Sequence, residues 1–120
     1  MNREEMIAFV NRQAAAWQSR DSRAVAVDFA LDGVLISPSG RLHGTEAIRQ
    51  AAESVFASTI AIKISIKRVL IDGDQGAVEW NWTETGAKTG QQKTMDDAII
   101  FAVQHGKITY WREYFNEPAD

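Results

Sequence analysis

The spacing of apolar residues changes at Thr59, and that change limits the folds open to this chain. Before it, apolar side chains recur every three or four residues; after it they recur every two. Helical segments followed by an unbroken run of strands define an α+β domain, with the helices gathered on one face of an antiparallel sheet. At 120 residues the chain has material for one core, so a single domain over 1–120 is expected.

The first segment, 3–20, places Met6, Val10, Ala14 and Trp17 on one helical face. Ser22 is positioned to cap a second short helix presenting Val25 and Phe29, which Asp32-Gly33 ends. A short strand at 34–37, a Pro38-Ser39-Gly40 turn and a third helix capped by Thr45 follow, the last with Ile48, Ala52, Val55 and Phe56 inward. Beyond Thr59, Ile60, Ile62, Ile64 and Ile66 alternate with Ala61, Lys63, Ser65 and Lys67. The phase slips at Lys67-Arg68, the mark of a bulge that bends the sheet. Further strands are expected near 77–85, 91–103 and 107–115.

Period two divides each strand into faces. Val78, Trp80, Trp82 and Glu84 share one; Met95, Asp97, Ile99, Phe101 and Val103 another; Thr109, Trp111, Glu113 and Phe115 a third. A three-residue hairpin loop, Gln104-His105-Gly106, pairs Val103 with Lys107, Ile99 with Trp111, and Asp97 with Glu113. Two carboxyls then meet on an apolar wall. Desolvation and mutual repulsion both favour protonation, which is how a site obtains a general acid or base near neutral pH. The competing reading is a solvated pair, or one neutralised by Arg112 or Lys107. Four Trp residues among eleven aromatics also call for an explanation. Trp17 fits plain core, whereas Trp80, Trp82 and Trp111 on a concave face would wall a cavity suited to a flat apolar ligand.

Composition removes several function classes. Thirteen basic and sixteen acidic residues leave a net charge of −3 with no basic block, against a nucleic-acid partner. No Cys and no paired His spacing leave a metal site unsupported. No apolar run of membrane length and no signal-like start point to a cytoplasmic protein. Gly86-Ala87-Lys88-Thr89 lacks the spacing of a phosphate loop, and His105 falls at a hairpin tip. His43 lies in the connection before Gly44, with a role at the cavity mouth left open.

With Trp17 late in the first helix, Asp28-Phe29-Ala30-Leu31-Asp32-Gly33-Val34 entering the first strand, Gly44-Thr45-Glu46-Ala47-Ile48-Arg49 opening the third helix, and 106–115 closing the sheet, the chain resembles the SnoaL-like branch of the nuclear transport factor 2-like superfamily. The resemblance implies a cone, three helices packed in a curved antiparallel sheet, and cofactor-independent chemistry on a small apolar or aromatic molecule. Against the ketosteroid isomerases, Asp97-Ala98-Ile99-Ile100-Phe101 matches the oxyanion-hole Asp, but Ser37 stands at the base position and Gln13 at the Tyr position. Against limonene-type epoxide hydrolases, Glu113 matches one acidic position while Trp80 and Trp82, Val34 and Ile36 replace the remaining polar groups. The resemblance to polyketide cyclases leaves Asp97 as the proton-transfer residue and Glu113 as its partner. Trp17, Ser37, Phe56, Trp80, Trp82, Met95, Ile99, Phe101 and Trp111 are then the expected lining. The alternative is a non-catalytic ligand-binding or dimerisation module. On the opposite face, Ile100, Tyr110, Arg112 and Tyr114 form an aromatic surface expected to pair two copies of the chain.

Overall fold

A computed structural model describes residues 1–116; the last four positions of the expected 1–120 domain lie outside the described residues. Three helices, α1 (Arg3–Gln18), α2 (Ser22–Val27) and α3 (Thr45–Ser58), are joined with six strands: β1 (Phe29–Ser37), β2 (Gly40–His43), β3 (Thr59–Asp72), β4 (Gln75–Gly86), β5 (Gln92–Gln104) and β6 (Lys107–Tyr114). The strands form one sheet in the order β2-β1-β6-β5-β4-β3. It curves around the helices, the α+β arrangement that the change of period implies. No helix among the described residues is long and apolar enough to cross a membrane.

One pairing corrects the expectation of an antiparallel sheet. β1 runs parallel to β6, with Leu35 beside Trp111 and Ile36 beside Arg112. The second helix ends two residues before Phe29, which instead starts β1 and is buried. The early start adds a second contact with β6, Phe29 beside Ile108. Residues 40–43, read as a surface connection, form β2 and pair with β1. Gly33 sits at the irregularity between these pairings; a Cβ there would fall 2.7 Å from the Ile108 carbonyl oxygen.

Helix ends also differ from expectation. Asn2 and Glu5 form a reciprocal capping box at α1, satisfying two backbone donors that the first turn leaves free. Asp21, rather than Ser22, caps α2 by accepting from Ala24 N–H at 3.1 Å. Gly44 precedes α3 at φ 91 with no side-chain cap, so Thr45 is the first helical residue. At the end of α1, Arg20 donates to the Phe56 carbonyl and to Thr59 Oγ1, tying the helix to the α3–β3 junction. Gln18 accepts from the Ile64 N–H of edge strand β3 at 2.9 Å, occupying a donor that a bare edge would leave open.

The bulge predicted at Lys67-Arg68 is present: Ile66 pairs with Trp80 and Arg68 with Glu79. A second irregularity between Thr59 and Ala61 turns Ile60 outward, so only Ile62 and Ile64 of the four alternating isoleucines are buried. The β5–β6 hairpin is shorter than expected. His105 and Gly106 both take positive φ, the signature of a two-residue turn, and Gln104 pairs with Lys107. Such a turn alone would exchange the faces of β6. A bulge at Thr109 adds one residue and restores them beyond it: Ala102 pairs with Tyr110, Phe101 with Trp111 and Ile99 with Glu113. Ile108 therefore replaces Thr109 on the buried face, and Asp97 lies diagonal to Glu113 rather than opposite it.

The core between helices and sheet centres on Met6, Phe9, Val10, Ile48, Trp80, Ile99, Phe101 and Trp111, each at most 2% exposed. Burying each large apolar side chain contributes roughly 1.5–3 kcal/mol. Trp111 is packed by Trp80, Phe101 and Phe29, with ring centres 5.5 to 6.4 Å apart. These rings fill the narrow part of the cone.

Candidate active site

Above the aromatic plug the cone opens into a cavity of about 190 Å³. Its floor and one wall come from the sheet. Trp82 and Met95 are cross-strand partners, and Asp97 follows two residues along β5 on the same face. Glu113 and Phe115 arrive from the end of β6, and the parallel β1 brings Leu35 and Ser37 beside them. Helices close the other side: Trp17 from α1, and Ile48, Ala51 and Val55 from α3, spaced by three and four so that one stripe faces the cavity. Leu42 of β2 and Ser39 of the β1–β2 turn complete the rim, with the Ser37 and Ser39 hydroxyls 2.8 Å apart.

Trp80 stands directly across from Asp97, and its indole N–H donates to Asp97 Oδ2 at 3.0 Å. Asp97 is 5% exposed, and its other oxygen, Oδ1, is buried without a hydrogen-bond partner. Burial pushes the Asp97 carboxyl above its ordinary range, while Glu113, the Trp80 N–H and the Tyr114 backbone N–H act in the opposite direction. Burial pushes Glu113 well up, reinforced by its interaction with Asp97 and by repulsion from that charge. The two carboxyls therefore titrate as a pair, holding a proton into a range where isolated carboxyls have lost it.

The cations considered as neutralising partners are engaged elsewhere. Lys107 Nζ donates to the Val27 carbonyl at 2.9 Å, and the Arg112 guanidinium lies 4.9 Å from the centre of the Tyr114 ring. Among the described residues no three His, Cys, Asp or Glu side chains converge as a metal site requires.

Of the residues expected at the site, Trp17, Ser37, Trp82, Met95, Asp97 and Glu113 come together around the cavity. Trp80, Ile99, Phe101 and Trp111 lie beneath it as closed core, because the cone is too narrow there for two indoles and a phenyl ring to leave space between them. Phe56 stacks edge-on against Trp17 from behind, their ring centres 5.6 Å apart. His43 is exposed on β2, and His105 is exposed at the hairpin tip. Leu35, Ser39, Leu42, Ile48, Ala51, Val55 and Phe115 join the lining without having been expected there. Three of them carried a signal: Phe115 shares a face with Glu113 by period two, and Ile48 and Val55 lie on the inward stripe of α3. Trp82 is held by its own N–H, which donates to Glu84 Oε1 at 3.0 Å, and packs edge-on to Trp17 with ring centres 5.3 Å apart.

Comparison with known proteins places this architecture. Solved structures of similar fold include a putative SnoaL-like polyketide cyclase from Jannaschia sp. (16% identity, 94% of this chain and 86% of that one, TM-score 0.82). A limonene epoxide hydrolase-like enzyme of M. tuberculosis matches at 22% identity over 94% and 84% of the two chains, TM-score 0.82. A hypothetical protein from Catenulispora acidiphila with a ketosteroid isomerase-like fold, solved with trimethylamine, matches at 21% identity over 88% and 82%, TM-score 0.82. At these identities the likeness establishes the fold. No curated protein matches the chain in sequence. The family model for the SnoaL-like domain matches residues 10–111. The chain thus belongs to the SnoaL-like domain family and has the nuclear transport factor 2-like fold.

Proposed function

We propose that this protein binds a small apolar or aromatic molecule in the cone and moves a proton on it without a cofactor, in a reaction of cyclase or isomerase type. The observation carrying this reading is the buried Asp97 carboxyl beside half-buried Glu113 at the cavity, with one Asp97 oxygen left unpartnered. A pair that retains a proton can accept one from a bound carbon or oxygen acid and return it at another position, the requirement of general acid–base catalysis near neutral pH. Asp97 is the transfer residue in this reading and Glu113 the group that tunes it. Comparison with relatives named as cyclase and ketosteroid isomerase-like gives the reaction class its support.

Volume narrows the substrate. Pockets for drug-sized ligands begin near roughly 300 Å³. The smaller cavity fits a compound of about one ring, because Trp80, Phe101 and Trp111 occupy the space a polycyclic substrate would need.

Carbon-13 NMR titration of the Asp97 and Glu113 carboxyls tests the reading. Both are expected to titrate above the ordinary carboxyl range and to respond to each other. Two independent titrations at ordinary values would favour the second reading, a non-catalytic ligand-binding module, which the missing hydrolase and isomerase side chains at Ser37, Trp80 and Trp82 otherwise support.

A further inference from the structure

The cavity's charge is one-sided. Asp97 and Glu113 are the ionisable groups among its described lining residues, and no Lys, Arg or His is among them. Two arginines close to the site in sequence or space are occupied. Arg20 is bound to the Phe56 carbonyl and Thr59 Oγ1, and Arg112 covers Tyr114 on the far face of the sheet. The two rim serines are within hydrogen-bonding distance of each other. Asp97 Oδ1 is buried with no donor from the chain. An ionised carboxylate only accepts, so the group that completes it carries N–H or O–H.

Three aromatic side chains, Trp17, Trp82 and Phe115, complete a lining suited to positive charge, since the faces of such rings attract cations and most strongly in desolvated sites. A neutral donor would satisfy Oδ1 but leave the charge of the pair uncompensated in a desolvated pocket. An anion would meet two carboxyls. A cationic donor answers both the missing hydrogen bond and the negative charge.

We propose that the cavity takes a small organic cation, a protonated amine on a body of about one ring, donating N–H to Asp97 Oδ1 with its carbon body against Trp17, Trp82 and Phe115. The proposal rests on the reading of the cavity as a small-molecule site and names the ligand class. With the amine seated, Asp97 holds it through the carboxyl that also moves the proton, and Glu113 tunes that carboxyl. Acid then weakens binding, because protonating Asp97 removes the charge that the amine needs. The groups facing Asp97 are Glu113 from β6 and the Trp80 N–H from β4; α1, α3, β1 and β2 contribute apolar and hydroxyl side chains to the lining.

Three probes of one shape test this: benzylammonium, benzyl alcohol and benzoate, titrated into the full chain at pH 8 and followed by calorimetry and amide NMR shifts. Benzylammonium is expected to bind at least about tenfold more tightly than benzyl alcohol, the step that one charge-assisted hydrogen bond contributes, with benzoate weakest. Asp97→Asn should erase the preference, bringing benzylammonium to the level of the alcohol, whereas Glu113→Gln should keep it. Thermal unfolding checks that both variants fold. Benzyl alcohol binding as tightly as benzylammonium overturns the cation proposal while leaving the apolar pocket in place. Failure of all three probes to shift any cavity resonance overturns both.

Discussion

Replacing Trp80 by Phe removes the indole N–H that Asp97 Oδ2 accepts at 3.0 Å, and does so where water cannot substitute: the two residues are 1% and 5% exposed. A hydrogen bond to a charged group contributes roughly 1.5–3 kcal/mol, and a neutral one about 0.5–1.5 kcal/mol. Trp80→Phe also leaves a cavity, whose cost would hide the hydrogen bond in a single variant. A double-mutant cycle with Asp97→Leu cancels it, since the cavity is common to both backgrounds. Urea denaturation of the four proteins should give a coupling of about 2 kcal/mol at alkaline pH, past the titration of Asp97. The coupling should fall to about 1 kcal/mol or less once acid protonates the carboxyl. A coupling near zero at alkaline pH, or one that does not change with pH, would refute the assignment of Trp80 as the donor that holds Asp97 in its charged form.

The raised carboxyls make the fold's stability depend on pH in a defined direction. Both folded-state values lie above the unfolded ones, so their contribution is fully present in acid below the ordinary carboxyl range and is lost as pH rises through the folded values. Asp97→Asn and Glu113→Gln should each raise the melting temperature at neutral pH and converge with the parent near pH 4, as calorimetry at stepped pH would show. For assembly, we propose a two-fold dimer through the outer sheet face, where Ile100 and Tyr114 are 44% and 48% exposed beside Arg112. Ile100→Lys should convert it to monomer in sedimentation velocity at micromolar concentration; a parent protein that sediments as monomer there would dismiss the proposal.

The helix-then-strand order, the β3 bulge and the pairing of two carboxyls on one face were legible because each depends on local period. Thr59 to Asp72 shows both the strength and the limit of that signal: the slip at Lys67 was visible, but the irregularity that turns Ile60 outward was not, since isoleucine fits either face. The parallel β1–β6 contact joins residues far apart in sequence, and nothing local marks it. The tryptophans were read as cavity wall because period two assigns a face and not a depth. Trp82 is at the opening and Trp80 two residues away is sealed beneath it, a difference set by the taper of the cone.

The bulge at Thr109 works as a frame correction for the strand that carries the acid. The two-residue turn leaves β6 out of step by one, and this single extra residue brings it back before Trp111 and Glu113. Deleting Thr109 would therefore leave the frame intact, since Tyr110 would follow Ile108 directly and still pair with Ala102; the frame is lost only if Thr109 stays and is drawn into the ladder opposite Ala102. In that flattened strand Arg112 and Tyr114 would turn inward and Trp111 and Glu113 outward, so the core, the acid pair and the outer face all depend on one residue staying out of the ladder.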